Sequence, residues 1–86
     1  MTKQHFEAMA QQFAIMKKGI MNNDSLDLDK KVQVVATYLD AVRAFCYVAK
    51  QFNSNFDADY FDNYIEEIVC GTRDVNGKKI KKGKVA

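Results

Sequence analysis

A chain of 86 residues, 48% hydrophobic and 12% aromatic, has the apolar content for one small core and is not a disordered polymer. It holds no proline, which favours long uninterrupted helices, and no run of about 18 consecutive apolar residues, which predicts no membrane span. The net charge of +2 conceals a split: residues 72–86 carry six bases against one acid, whereas residues 1–71 carry seven bases against ten acids.

The opening MTKQHFEAMAQQF is amphipathic and polar, so no secretory signal is expected. Thr2 suits a helix N-cap, and Phe6, Met9, Phe13, Met16 and Ile20 follow at spacings that place them on one helical stripe. Lys17 and Lys18 complement a negative helix end, and Gly19 is a candidate stop. The segment MNNDSLDLD reads as a loop with three candidate caps, Asp24, Ser25 and Asp27.

From about residue 28 to residue 52 runs the most apolar element. Val32, Val35, Leu39, Val42, Cys46 and Ala49 form one stripe; Val34, Tyr38, Ala41, Phe45, Val48 and Phe52 form a second. Two apolar stripes predict a central helix with a neighbour on each side. After Asn53, Ser54 and Asn55, Asp57 is a strong N-cap, and Phe56 stands where it can pack on Phe61. Phe61, Tyr64, Ile65, Ile68 and Val69 make the buried stripe of the third helix, which Gly71 closes.

Beyond Gly71 the pattern changes. Asn76-Gly77 suits a two-residue hairpin turn that sets Asp74 opposite Lys79, with Val75 diagonal to Ile80 on the other face. An isolated hairpin is marginal in water, so this one requires Val75 and Ile80 to dock on the bundle. Residues 81–86 are expected to be mobile.

Few residue patterns carry chemistry. His5, the single histidine, has no partner recognisable from spacing and suits a solvated helix start. Cys46 and Cys70 lie on apolar stripes and read as reduced, buried thiols of a cytoplasmic protein. No CxxC, HxxH or HExxH occurs. Asp57, Asp59 and Asp62 place Phe61 and Asp62 where a calcium loop needs an oxygen ligand and a glycine, so a helix cap explains these acids better. Glu66 and Glu67 diverge on a helix, and the scattered glycines form no phosphate loop. These observations predict no catalytic residue, no cofactor and no metal. Five lysines within seven residues of the tail permit phosphate contact, but the tail lacks aromatics for stacking and arginines beyond Arg73 for reading bases.

TKQHFEAMA and FNSNFDADYFDNYIEEIVCG resemble short bacteriophage and prophage open reading frames that open on a Thr-Lys-x-x-Phe-x-x-x-Ala helix. Those frames end in a Phe-x-x-x-Asn-x-x-Phe-type turn before a final helix. The matching residues are Thr2, Lys3, Phe6 and Ala10, then Phe52, Asn55, Phe56, Asp57 and Phe61. The resemblance spans residues 2–10 and 52–71 and implies a phage-borne, intracellular helical protein.

Together these readings predict an all-α fold. A three-helix bundle spans residues 1–71, with helices at about 3–19, 28–52 and 58–70, and a basic tail or small hairpin spans 72–86. The leading expectation is a non-enzymatic, phage-encoded protein that binds a host defence or replication factor in the host cytoplasm. It would do so through Asp59, Tyr60, Asp62, Asn63, Glu66 and Glu67. The alternative is a nucleic-acid-binding accessory protein using Arg73, Lys78, Lys79, Lys81, Lys82 and Lys84. The twin stripes of the middle helix also leave a homodimer open.

Overall fold

The computed structural model describes residues 3–80, so the proposed Thr2 cap and the tail positions Lys81, Lys82 and Lys84 lie outside the described residues. The fold is all-α, a three-helix bundle of α1 (Lys3–Met21), α2 (Leu28–Phe52) and α3 (Ala58–Cys70). Local capping chemistry sets the boundaries. The Asp27 carboxylate accepts a hydrogen bond from the Lys30 amide (2.8 Å), which selects one cap for α2 from the three candidates. Asp57 does the same for α3 from the Tyr60 amide (3.0 Å), and the Phe56 ring packs 5.5 Å from Phe61 to complete the staple. At the other end Gly71 adopts φ 87°, the Gly71 amide reaches Ile68 O (3.2 Å) and the Thr72 amide reaches Glu67 O (2.9 Å), a paired closure of α3. Gly19 does not stop α1, which runs two residues past it to Met21.

α1 and α2 run antiparallel, with Phe6 against Phe45 and Phe13 against Tyr38. α3 lies alongside α1 in the same direction: Tyr60 meets Glu7, Tyr64 meets Gln11 and Glu66 meets Lys17. The rings of Phe6, Phe13, Phe45, Phe56 and Phe61 form a continuous aromatic centre, with centroid separations from 4.6 Å (Phe6–Phe56) to 6.4 Å (Phe6–Phe45). Each such pair contributes about 0.5–1.5 kcal/mol beyond its area burial.

Three expectations change at this level. The buried face of α1 is rotated from the expected stripe: Ala10 and Ala14 are buried, while Met16 is exposed. Small side chains let α1 and α3 approach closely, while Phe13 reaches Tyr38 and Phe45 of α2 as well as Phe61 of α3. Nor is α2 clasped from both sides. α1 and α3 pair most closely with each other, and both lie on one side of α2. Its buried residues Tyr38, Val42 and Ala49 therefore come from the seam between the two stripes, and the outer edges of both stripes face solvent. The result is a flat molecule of 39 × 36 × 15 Å. Its radius of gyration is 14.1 Å, against about 12 Å for a rounded domain of this length.

The third change concerns the hairpin, which forms but in another register. Asp74 N–H bonds Lys78 O (2.8 Å), Ile80 N–H bonds Thr72 O (3.0 Å) and Arg73 faces Lys79. A two-residue turn at Asn76-Gly77 needs positive φ at both positions, and only Gly77 has it (86°). Instead the Gly77 amide closes a turn onto Asp74 O (2.9 Å), and the Asp74 carboxylate accepts from the amides of Asn76 (2.9 Å) and Lys78 (3.0 Å). Val75 and Ile80 remain exposed. Polar contacts from Arg73 and Gln11 dock the hairpin.

Candidate functional site

The hairpin is fastened to α3 by Arg73. Its guanidinium gives two hydrogen bonds to Glu67 Oε1, from Nε (3.0 Å) and Nη2 (2.8 Å), and one from Nη1 to Gly77 O (2.7 Å). The same group lies 4.3 Å above the Tyr64 ring. From α1, the Gln11 amide donates to Tyr64 Oη (3.2 Å) and to Asn76 O (3.1 Å). Arg73 thus spends its donors inside the protein, and of the tail bases within the described residues only Lys78 and Lys79 present exposed charges.

The six acidic-edge candidates fall on two flanks of α3. Glu67 belongs to the Arg73 clamp, and the Tyr60 hydroxyl donates to Glu7 Oε2 (2.7 Å) with the Lys3 ammonium 5.3 Å above its ring. The hydrogen bond to Glu7, with burial, pushes the Tyr60 phenol up to about 12. Asn63 is exposed between the flanks. Asp59, Asp62 and Glu66 share the side nearer α2. Burial raises the Asp62 carboxyl above its ordinary value, with Asp59 and Glu66 adding and Arg43 opposing. Glu66 also bridges to Lys17 Nζ at 2.7 Å.

Between this flank and α2 lies a cleft of about 260 Å³ walled by Leu39, Val42 and Ile65, with Tyr38, Arg43, Asp62 and Glu66 as its polar groups. Tyr38 and Arg43 come from α2, so no pattern within a single helix announces them. The one signal was a tyrosine within an apolar stripe. Its hydroxyl is buried and has no hydrogen-bond partner among the described residues. Burial, then Glu66 and Asp62, push it up to about 12. A second hollow, of about 320 Å³, lies between the start of α1 and the start of α3, with Phe6, Phe56 and Phe61 in its walls and Lys3, Glu7 and Asp57 at its rim.

The two cysteines separate. Cys46 is half-buried, and desolvation followed by the charge of Asp62 pushes its thiol up to about 11. Cys70, expected in the core, is exposed because the closing turn at Gly71 leaves the last residue of α3 on the outside. Among the described residues no three metal-ligating side chains come together.

Apolar side chains stand exposed on both edges of α2: Leu28 (75% exposed) and Val32 on one, Val48 and Phe52 (80% exposed) on the other, with Tyr47 between them on the outside. By length and composition α2 alone among the described helices could cross a membrane. Asp40 and Arg43, 3.9 Å apart near its middle, oppose that placement, since each such charge costs about 2.5–3.5 kcal/mol at a bilayer centre. Comparison of the chain with protein-family models, curated proteins and solved structures found no match.

Proposed function

We propose that this chain is a small non-enzymatic interaction protein that covers the exposed apolar edges of α2 with another protein. A host-cell factor met by a phage-borne protein is the setting that the sequence resemblance suggests. The observation that carries the reading is the exposure of Leu28, Val32, Tyr47, Val48 and Phe52 along one 25-residue helix. A monomer that left this surface bare would carry an association liability, and aromatic anchors such as Tyr47 and Phe52 are the side chains that dominate protein interfaces. The flat shape adds support, because burying a face removes proportionally more water-exposed area from a plate than from a sphere.

Val32→Lys and Phe52→Lys test it, since both side chains are exposed and their replacement leaves the core intact. The chain is tagged and used to capture host proteins. A specific partner held by the parent chain and lost from both variants, with helicity unchanged, supports the reading. An identical set of captured proteins overturns it. Sedimentation runs beside it: a concentration-dependent dimer abolished by the same substitutions assigns the face to a second copy of this chain instead.

A further inference from the structure

We propose that the docked hairpin and the neighbouring face of α1 form one basic surface that binds the phosphate backbone of duplex nucleic acid, through Lys18, Lys78 and Lys79. Gln11 fixes where this surface lies. It stands two residues, about 200° around the helix, from Phe13, which meets Tyr38 of α2. The hairpin that Gln11 holds through Asn76 O therefore sits on the side of α1 turned away from α2. Lys18 is two turns further along that same face, about 10 Å toward the end of α1. The returning strand climbs the same way, because Ile80 meets Thr72 beyond the end of α3, and α3 runs in the direction of α1. The step from Asn76 to Lys79 covers about 10 Å, which brings Lys79 level with Lys18 and sets Lys78 beside it.

The acids near this surface are engaged elsewhere. Glu66 bridges to Lys17, Glu67 holds Arg73, and the Asp74 carboxylate accepts from the amides of Asn76 and Lys78. Lys18, Lys78 and Lys79 have no carboxylate partner among the described residues, and Lys78 and Lys79 are exposed. In sequence Lys81, Lys82 and Lys84 follow directly and add three positive charges, outside the described residues. Arg73, Gln11 and the Asp74 turn hold the hairpin, so its lysines are presented from a fixed backbone and binding has less to order. A duplex suits them as an anion. Ammonium groups meet phosphates as point charges, and a duplex carries one negative charge for about every 1.7 Å of its length. Residues 72–80 hold no aromatic for stacking on single-stranded bases or for anchoring in a lipid interface. The surface shares no residue with the exposed edges of α2 and binds whether or not those are covered.

The test follows the fluorescence anisotropy of a short labelled duplex titrated with the full-length chain, from about 25 to 200 mM salt. Expected is an affinity whose logarithm falls linearly with that of the salt concentration. The slope is reduced by about 0.9 in each of Lys18→Ala, Lys78→Ala and Lys79→Ala. Lys3→Ala, at the far end of α1 and about 22 Å from Lys18, leaves the slope unchanged. Gly77→Ala keeps every charge but undocks the hairpin, which parts Lys18 from the other two. Measured where circular dichroism shows its helices intact, it loses about 0.9 of slope, and adding Lys18→Ala to it removes nothing more. No binding at the lowest salt, an equal effect of Lys3→Ala, or an unchanged slope in Lys18→Ala overturns the proposal. So does tighter binding of polyglutamate or of phosphatidylserine vesicles than of the duplex, which assigns the lysines to an acidic polypeptide or to a membrane.

Discussion

Replacing Gly77 by alanine isolates the docking of the hairpin. An added Cβ would overlap the Tyr64 hydroxyl and lie 2.8 Å from Tyr64 Cζ and 3.1 Å from Gln11 Nε2, at a φ of +86°. Tyr64 is buried and clamped between Gln11 and Arg73, so it cannot simply turn away. The left-handed backbone alone costs a non-glycine residue about 1–2 kcal/mol. Displacing Tyr64 also breaks the Gln11–Tyr64 bond and strains the Gln11–Asn76 and Arg73–Gly77 bonds, each worth about 0.5–1.5 kcal/mol net. The cost cannot exceed the free energy of docking the hairpin, since undocking relieves the clash. The expected loss is about 2–3 kcal/mol, a fall in Tm of roughly 10–20 °C for a domain of this size. Gly19→Ala is the matched control: nothing lies within 4 Å of its added Cβ, and a helix interior gains about 0.5–1 kcal/mol from the change. Thermal melting followed at 222 nm, with hydrogen exchange at the Asp74 and Ile80 amides, reads both variants. If Gly77→Ala melts with the parent chain and those amides keep their protection, the docked hairpin is wrong.

Arg73→Lys keeps the charge but loses the paired bonds to Glu67 and the stacking on Tyr64; a loss of about 1–2 kcal/mol in urea unfolding is expected, and an unchanged midpoint refutes the clamp. Asp62 has a folded-state value above its unfolded one, so its ionisation weakens the fold as pH rises through the carboxylate range and protonation restores stability on the way down. Asp62→Asn should therefore raise Tm at neutral pH, with the advantage shrinking in acid; a variant less stable than the parent at pH 7 contradicts the sign. Under native conditions a thiol reagent should label Cys70 quickly and Cys46 slowly, with both equal after unfolding. Two equally fast thiols in the folded chain refute the burial of Cys46.

Much of the fold was legible because its signals are local. Asp57 capping Tyr60, Phe56 stapling Phe61 and Gly71 ending α3 each join residues a few positions apart, so the same contacts form whatever the helix later packs against. The hairpin turn was half legible. Asn76-Gly77 announced a turn, but Asp74, by accepting from two amides, drew the chain into a different register. The candidate site was less legible still. Asp62 and Glu66 stood out as exposed acids, whereas Tyr38 read as one more member of an apolar stripe, and only its neighbours give its hydroxyl a meaning.

Helix number, both ends of α3 and the basic end of the chain were determined by residue order alone, since caps, periodicity and charge act over one or two turns; the end of α1 beyond Gly19 and the choice of Asp27 as the α2 cap were not. The tertiary structure decided which edges of α2 are left bare, and it set Tyr38 beside Asp62 and Glu66. It also decided that Arg73 holds a hairpin instead of facing solvent. Those outcomes rest on pairings such as Gln11 with Tyr64 and with Asn76, 53 and 65 residues apart. Two stripes on one helix do not reveal on which side its neighbours will gather, because α1 and α3 settle that by packing against each other.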